Sequence, residues 1–451
     1  MNIVIIGLGT IGVGVLQTIA SDNHTITIID DDKVQVERLI ERYDVQGVVG
    51  NGASLEIQKE AGMDNADVAI VLTESDELNI FACLVAKKLG VKNTIARVRD
   101  PDYRQQIITM KDELGISMIV NPEQDTATEI FNLINLPAIA EVEYFANGKV
   151  LLVEIAVEKE STLINETLIS IGQKLNTKVL ICAIRRRDEV IIPSGHTKIL
   201  EGDKIYFTAN AKHLRDFLSE AKIIKSRLKN IMIVGGTRTS YYLANHLSKK
   251  KYNIKLIEND IKAAESLADA LPHVTVVNGC CTQHDMLVEE GIEAMDAFVA
   301  LTDDDEDNMI VSMFANKMGV KKTITQIKNE SLNSMLSALD IENNVSPKDI
   351  VADRITSYIR ALANSRGSGV LTLYRLVNSQ VEALEFAAKQ QSKMYGHKLR
   401  ELKIKSDCLV ACIIRGTEII IPDGNATIQL GDKVVVVTTH KNFNDLADVF
   451  E

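Results

Sequence analysis

The two halves of the sequence match each other, and this internal duplication constrains the fold more than any other feature. Residues 2–7 (Asn-Ile-Val-Ile-Ile-Gly) reappear at 230–235 (Asn-Ile-Met-Ile-Val-Gly), and residues 72–79 match 301–308. The matching positions lie 228 or 229 residues apart. An offset this constant over whole halves indicates duplicated domains and is too long for a solenoid repeat. The alternative is chance similarity between generic α/β sequences, and ordered matches at separate places argue against it.

Each half divides into two parts of different character. In residues 1–122 and 228–346, short β-branched runs alternate with helical stretches, which predicts right-handed crossovers and a doubly wound, Rossmann-like parallel sheet. In residues 141–222 and 368–451, strands of alternating polarity dominate and a Gly-Asp turn precedes the last strand. This second pattern predicts a small α+β module. We therefore expect an α/β protein of four domains with these boundaries.

Several helices can be placed from the sequence. Pro122 and Pro347 each predict a helix start, where the missing N–H of proline is harmless. The helix that begins at Asp76 is expected to pack on the sheet through one stripe of residues at helical spacing. These are Leu78, Phe81, Ala82 and Val85.

The first part opens with a dinucleotide-binding fingerprint that follows a predicted strand and begins a predicted helix. Its members are Gly7, Leu8, Gly9, Thr10, Ile11 and Gly12. Gly7 permits the tight turn, Gly9 lets backbone N–H groups approach a pyrophosphate, and Gly12 lets the helix pack on the strand. The positive end of the helix then faces the phosphates.

An acidic residue follows at the expected distance. Asp30 ends the next predicted strand, 23 residues after Gly7, where a spacing of about 20 is typical. Its carboxylate would accept hydrogen bonds from ribose hydroxyls and repel a 2′-phosphate, which favours NAD over NADP. The alternative is a strand-end cap that binds no ligand.

Further candidates follow the later strands of the same sheet, whose carboxyl edge is where such folds bind ligands. They are Asn51 and Gly52 in a loop able to pass an adenine, Thr73 and Glu74 after the fourth strand, and Arg97 and Arg99 after the fifth. We expect the two arginines to point to opposite faces, so that one could reach a phosphate. The alternatives are a bare turn for the loop and a surface salt bridge for either arginine.

The second half carries a degraded copy of the fingerprint. Residues 235–240 read Gly-Gly-Thr-Arg-Thr-Ser, so that threonine and serine replace the second and third glycines. A Cβ at position 237 crowds a pyrophosphate, whereas Arg238 adds a cation and Glu258 keeps the place of the acid. A mononucleotide site, a weak site and a purely structural copy all stay open.

Residue types for catalysis are missing or scattered. The eight histidines form no triad pattern with a nucleophile, and no Gly-x-Ser-x-Gly elbow is present. Cys280 and Cys281 with His273 and His284 could suggest a metal site, but adjacent cysteines of a strand point to opposite faces and no second pair follows. The sequence predicts neither a catalytic residue nor a metal ligand.

Charge and hydropathy exclude two classes of function. The net charge of −12 argues against a nucleic-acid-binding protein, which needs a basic surface. No apolar run approaches the roughly 18 residues that span a bilayer, and the first residues do not resemble a signal peptide. Six cysteines without a framework spacing are typical of reduced thiols. We expect a soluble, cytoplasmic protein.

Taken together, these features resemble the regulator-of-potassium-conductance (RCK) domain family. The resemblance covers essentially the whole chain and is carried by residues 5–9, 72–77 and 96–103 and by the two modules that end in Gly-Asp-Lys. It implies a cytoplasmic, peripheral gating protein of a Trk-type potassium uptake system. Such a protein forms a homo-oligomeric ring, taken as a tetramer, beneath a TrkH-like potassium-conducting membrane subunit.

The resemblance also implies regulatory binding of NAD(H) or ATP/ADP. The family's nucleotide contacts correspond to residues 7–12, Asp30, Thr73, Glu74 and Arg97, and Glu258 matches the ribose acid in the second half. An NAD-dependent dehydrogenase is the alternative function, but it needs a general acid or base near the nicotinamide that cannot be assigned. A nucleotide sensor for another partner is a third possibility.

Overall fold

The computed structural model describes residues 1–20, 24–100, 103, 106–107, 109–135, 141–145, 150–159, 161–175, 179–187, 189–210, 214–222, 228–336, 339, 341, 343–364, 370–376, 381–388, 394–416, 418–440, 443 and 445–450. Within them, the first part of the chain builds a parallel sheet. Its strands are β1 (Asn2–Ile6), β2 (Thr25–Asp30), β3 (Gln46–Val49), β4 (Val68–Val71), β5 (Asn93–Arg97) and β6 (Met118–Val120). Their order is β3-β2-β1-β4-β5-β6. The order reverses between β1 and β4, which opens a crevice at the carboxyl ends of these strands.

Helices cover this sheet and begin at local capping residues. They are α1 (Thr10–Ile19), α2 (Lys33–Arg42), α3 (Leu55–Glu60), α4 (Asp76–Lys88), α5 (Lys111–Leu114) and α6 (Pro122–Asn135). Asp32 caps α2 by accepting hydrogen bonds from the backbone N–H groups of Val34 and Gln35. Ser75 caps α4 in the same way, through the N–H of Leu78. Such caps satisfy N–H groups that the helix itself leaves unpaired.

The first antiparallel module follows. Its strands are β7 (Glu141–Phe145), β8 (Val150–Ala156), β9 (Val179–Arg186), β10 (Glu189–Ile191) and β11 (Lys204–Asn210), in the order β10-β9-β11-β8-β7. Its helices are α7 (Leu168–Lys174) and α8 (Leu214–Glu220). The predicted Gly-Asp turn precedes β11. Asp203 of this turn is 1% exposed and accepts two hydrogen bonds from the guanidinium of Arg186, at 2.9 and 2.8 Å.

The second half repeats both architectures. Its parallel sheet contains β12 (Asn230–Val234), β13 (Asn253–Glu258), β14 (Thr275–Asn278), β15 (Ala297–Ala300), β16 (Lys322–Gln326) and β17 (Asn343–Val345), in the order β14-β13-β12-β15-β16-β17. The helices are α9 (Arg238–Ser248), α10 (Ile261–Ala270), α11 (His284–Glu289), α12 (Asp305–Lys317), α13 (Asn333–Leu336) and α14 (Pro347–Asn364). The second module contains β18 (Val370–Leu376), β19 (Val381–Ala387), β20 (Cys408–Arg415), β21 (Glu418–Ile420) and β22 (Lys433–Thr438), in the order β18-β19-β22-β20-β21. The predicted fold class is confirmed.

The chain forms two compact units, and each unit takes one part from each half. The first comprises Met1–Ile134 with Leu228–Thr356, and the second comprises Asn135–Arg227 with Ser357–Glu451. Like parts therefore pair with like parts.

In the first unit, α6 of the first half packs on the sheet of the second half. Ala127 and Ile130 of α6 share a buried cluster with Ile231 and Ile233 of β12. In the second unit, the two antiparallel sheets share a cluster that contains Leu152, Cys182 and Tyr206 from the first half. Val381, Cys412 and Val435 from the second half complete it. The two halves thus share a hydrophobic core within each unit.

The predicted apolar stripe of α4 is partly wrong. Phe81 is 53% exposed, whereas Asn79 is fully buried together with Ala82, Cys83 and Ala86. The buried face of α4 is therefore rotated relative to the prediction. The reason is that Asn79 makes hydrogen bonds beneath the helix, so a polar residue occupies a core position.

Candidate nucleotide-binding site

The turn after β1 is shaped by two glycines. Gly7 has φ +90°, and a Cβ there would lie 2.7 Å from the backbone nitrogen of Thr73 at the end of β4. A Cβ at Gly12 would lie 2.0 Å from the carbonyl oxygen of Gly7. Both positions therefore exclude any side chain, because a positive φ or a backbone contact leaves no room for one. Their role in the turn and in helix packing is structural.

Gly9 differs from both, because its missing side chain leaves open space. A Cβ there would meet no atom within 4 Å. Gly9 is the N-cap of α1, with no side-chain hydrogen bond at the cap and no acidic residue in the first turn. Thr10 is exposed and Ile11 is half-buried. The helix thus presents N–H groups without a side-chain acceptor, and its positive end favours an anion there.

Asp30 lies beside this turn and holds its shape. Its Oδ2 accepts a hydrogen bond from the backbone N–H of Leu8 at 2.6 Å, and its Oδ1 accepts one from Asp32 at 2.9 Å. A carboxylate offers about four acceptor positions. Asp30 therefore caps the turn and keeps acceptor capacity for hydroxyl groups of a ligand, so the two interpretations of this residue are compatible.

The loop after β3 is fixed by packing. Asn51 Oδ1 accepts the N–H of Ala53 at 2.9 Å. Gly52 is buried, a Cβ there would lie 2.1 Å from Cγ2 of Ile6, and its carbonyl accepts from Gln58 Nε2 at 2.7 Å. Close packing against Ile6 therefore explains the glycine at position 52. Asn51, in contrast, is exposed at the edge of the crevice.

The two arginines contact the loop after β4. Arg97 Nη1 donates to the carbonyl oxygen of Thr73 at 3.2 Å, and Arg99 Nη2 donates to that of Glu74 at 2.6 Å. The expectation that they face opposite ways is wrong, because residues two positions apart on an extended chain point to the same face. The pKa of Arg97 is lowered by burial and then by the charge of Arg99, while a guanidinium stays protonated in proteins.

Sequence reasoning missed Asn79, which organises this edge. The fully buried Asn79 accepts hydrogen bonds from the N–H and the hydroxyl of Thr73, at 2.9 and 2.6 Å. Its amide donates to the carbonyl oxygens of Thr73 and Arg97, at 3.0 and 2.9 Å. The signal was present in the repeat, since Asn308 is the same residue at the equivalent position.

The second-half turn has the same path but is closed by its own side chains. Gly235 has φ +91°. Thr237 caps α9, with its hydroxyl accepting the N–H of Ser240 at 3.4 Å, and the hydroxyl of Ser240 donates to the carbonyl of Gly235. Glu258 accepts N–H groups of Gly236 and Asp260, as Asp30 does in the first half. The acid is thus kept, while a hydroxyl occupies the place that is open at Gly9.

Arg238 follows this cap as the first residue of α9 and is exposed. In the first half, the equivalent crevice contains Arg97, but the second half has Gln326 at this position. The position of Arg99 keeps a cation, because Lys328 Nζ donates to the carbonyl oxygen of Asp303 at 3.1 Å. The second crevice therefore lacks the cation of Arg97 and has Arg238 at the helix start in addition.

Family models match both kinds of part. The TrkA-N domain matches residues 3–122 and 231–347, and the TrkA-C domain matches residues 152–222 and 384–451. The chain belongs to the TrkA family. The two matches of each domain also reflect the duplication that the sequence shows.

Curated members of the TrkA family align over the whole chain. The Trk system potassium uptake protein TrkA homolog 1 of Methanosarcina mazei is 30% identical over 100% of both chains. The Trk system potassium uptake protein TrkA of Haemophilus influenzae is 27% identical over 100% of this chain and 99% of its own.

Solved structures share the fold. The GsuK channel bound to NAD gives a TM-score of 0.63 at 17% identity, over 98% of this chain and 77% of that chain. The structure of GsuK bound to ADP gives a TM-score of 0.50 at 14% identity, over 79% of this chain and 69% of that chain. In this TrkA-family chain, none of the described helices is both long and apolar enough to cross a bilayer. Its described residues also contain no group of three His, Cys, Asp or Glu side chains suited to a metal ion.

Proposed function

We propose that this chain is the nucleotide-binding regulatory subunit of a Trk-type potassium uptake system. It binds NAD(H) or ATP/ADP in the first-half crevice and controls a TrkH-like potassium-conducting subunit from the cytoplasmic face of the membrane. The observation that carries the proposal is the open, uncapped start of α1 at Gly9, directly beside the carboxylate of Asp30. Membership of the TrkA family supports the potassium uptake role.

The residues of the first crevice fit an adenine nucleotide. The backbone of residues 7–12 (Gly7, Leu8, Gly9, Thr10, Ile11 and Gly12) receives the phosphates, and Asp30 accepts the ribose hydroxyls. Asn51 and Gly52 border the adenine, while Thr73, Glu74, Arg97 and Arg99 form the opposite wall. The negative charge of Asp30 disfavours a 2′-phosphate, so NAD is preferred over NADP. Arg97 supplies a charge that suits either the pyrophosphate of NAD or the longer phosphate chain of ATP.

The second crevice binds nucleotide more weakly. The cap made by Thr237 satisfies the N–H group that a phosphate would otherwise meet. Arg238 and Glu258 remain as its candidate contacts. This difference makes the first half the sensor.

The bound nucleotide acts as a regulatory ligand. A ligand shifts a conformational equilibrium only by its difference in affinity for the two states. We assign the parallel-sheet parts (1–122 and 228–346) to sensing. The modules (141–222 and 368–451) complete a homo-tetrameric ring that contacts the membrane only through the conducting subunit. The solved structures of GsuK bound to NAD and of GsuK bound to ADP support both nucleotide classes as ligands.

The test is calorimetric titration with NAD, NADH, ATP and ADP. We expect one tight site per chain, lost in Asp30→Ala and kept in the matched second-half variant Glu258→Ala. Potassium flux through vesicles that contain the conducting subunit should lose its nucleotide dependence in Asp30→Ala. A wild-type chain that binds none of the four nucleotides contradicts the proposal. So does turnover of NADH with a panel of small alcohols and acids, which would indicate a dehydrogenase.

A further inference from the structure

Arg99 connects the proposed nucleotide loop to the rest of the first unit through three different groups. Its side chain donates to the carbonyl oxygen of Glu74 at 2.6 Å. Its backbone N–H donates to Asp76 Oδ2 at 2.8 Å. Its carbonyl oxygen accepts two further hydrogen bonds. A shift of the loop after β4 therefore reaches the Arg99 carbonyl through a single residue.

One of these two hydrogen bonds comes from the other half of the chain. The hydroxyl of Tyr242 in α9 donates to the Arg99 carbonyl at 3.2 Å. The amide of Asn121 donates to the same oxygen at 3.1 Å and lies 3.4 Å from the Tyr242 hydroxyl. Asn121 also caps α6 by accepting the N–H of Gln124 at 2.9 Å. The first-half loop, the start of α6 and helix α9 thus meet at one carbonyl oxygen.

An open groove lies beside Tyr242, between α6 and α9. Its volume is about 310 Å³. Its lining residues are Gln124, Ala127, Thr128, Tyr242, Asn245, His246 and Lys249. Beside the groove, α9 packs on α6 through a buried cluster that includes Leu243 and Ala127, and the rings of Phe131 and His246 stack at 4.0 Å. The polar contact of Tyr242 therefore lies at the exposed edge of a packed helix pair.

The hydrogen bond of Tyr242 is not repeated at the equivalent position of the first half. The position that corresponds to Tyr242 in the first half is Gly14, 228 residues earlier. A Cβ there would lie 2.5 Å from Cγ of Lys348, so the stem of this lysine fills the place. Position 14 therefore supplies no hydroxyl, and the second half contacts α1 there through Lys348, whose Nζ donates to Gln17 Oε1 at 3.2 Å. This asymmetry between the halves parallels the difference between the open turn at Gly9 and the self-capped turn at Thr237.

We propose that Tyr242 is a positioning residue that couples occupancy of the first-half crevice to the position of α9 in the second half. The proposal rests on the nucleotide binding proposed above. When the loop of Thr73 and Glu74 adjusts to a ligand, Arg99 carries the change to its carbonyl, and Tyr242 carries it to α9. Since α9 begins at the second-half turn, the degraded crevice acts as the receiver of the signal.

The test is hydrogen exchange of residues 238–248 in the full-length chain, with and without saturating ADP or NAD. Coupling free energies of typical size predict a change of about fivefold or more in exchange rate on nucleotide binding. Tyr242→Phe removes only the hydroxyl and should abolish this change while calorimetric affinity stays within about threefold, since Tyr242 lies outside the crevice. Tyr241→Phe is the matched control. It removes a neighbouring hydroxyl, and the rings of the two tyrosines lie edge to face at 5.7 Å.

Each outcome decides between the proposals. An exchange change in Tyr242→Phe equal to that of the wild type overturns the coupling and leaves nucleotide binding intact. A wild-type chain that binds nucleotide without any change in α9 also overturns the coupling. A wild-type chain that binds no nucleotide in calorimetry overturns the proposed function and the coupling together. Loss of the change in Tyr241→Phe as well would show a general loosening of α9, which contradicts a specific role for Tyr242.

Discussion

The side-chain amide of Asn79 donates a hydrogen bond to the main-chain oxygen of Arg97 at 2.9 Å, and so ties the ends of two neighbouring strands together. Asn308 does the same in the second half, with the oxygen of Gln326 at 3.1 Å. Both asparagines are fully buried. The carboxyl edges of the two parallel sheets are therefore stabilised by the same asparagine contact, although the residues proposed to face a ligand differ.

Replacing either asparagine by alanine should destabilise the protein by about 3 kcal/mol, because several buried polar groups lose their partners. Only Asn79→Ala should also weaken nucleotide binding, since Asn79 holds Thr73 and the Arg97 carbonyl in place. Denaturant unfolding and calorimetry of the two variants measure both effects. Equal nucleotide affinity in Asn79→Ala and Asn308→Ala would contradict this role.

Gly9→Thr should separate binding from stability. The new side chain has open space and reproduces the cap of Thr237, so the free energy of unfolding should stay unchanged or rise by a few tenths of a kcal/mol. Nucleotide affinity should fall by at least about tenfold, because the side chain occupies the approach to the helix N–H groups. Calorimetry and thermal unfolding of the same sample test this. The control Gly12→Ala should unfold more easily, since its Cβ would meet the carbonyl of Gly7 at 2.0 Å.

Lys322 should make stability depend on pH. It is 6% exposed and donates to the carbonyl of Leu133 in α6, and burial lowers its pKa to about 8. In the unfolded chain the pKa of a lysine is about 10.4. Between pH 8 and 10.5 the unfolded chain therefore binds more protons than the folded chain, so the free energy of unfolding should rise with pH. The rise is on the order of 3 kcal/mol.

Lys322→Met should lack this rise, while Lys321→Met, at a site with 60% side-chain exposure, should keep it. Guanidinium unfolding at several pH values between 7 and 10.5 gives the difference. A parallel pH dependence in the wild type and Lys322→Met would contradict the lowered pKa.

The Gly-Asp turn of the first module should be sensitive to the loss of its carboxylate. Asp203→Ala leaves the guanidinium of Arg186 without its two-point partner and should cost about 3 kcal/mol of stability. The exposed pair of Lys159 and Glu201, 4.0 Å apart, supplies the control. Glu201→Ala should produce no measurable change in denaturant unfolding. A similar loss in both variants would show that the turn itself, and not the buried ion pair, determines stability.

Much of the fold could be predicted because it depends on local patterns. The alternation of strands and helices predicted the parallel sheets, and Pro122 and Pro347 both begin helices as expected. The turn at Gly7 was also recognisable, since its glycines repeat a known spacing. These features depend on backbone conformation and on periodicity, which the sequence shows directly.

The remaining features depend on tertiary contacts. On α4, the apolar Phe81 is exposed and the polar Asn79 is buried, which is the opposite of the usual distribution. The buried amide of Asn79 is stabilised by its hydrogen bonds to the ends of two strands. The contact of Tyr242 with Arg99 joins residues 143 positions apart, and local spacing does not predict it. The nucleotide contacts assigned to the first crevice stay a prediction.

The buried face of α6 has a consequence for how such a chain can exist. A precursor with one half alone would expose Ala127 and Ile130, and it would have to meet a second copy in solution to cover them. Such an encounter weakens on dilution. Fusion of two copies keeps the faces at a high effective concentration set by the tether, so the pairing survives at any abundance of the protein in the cell.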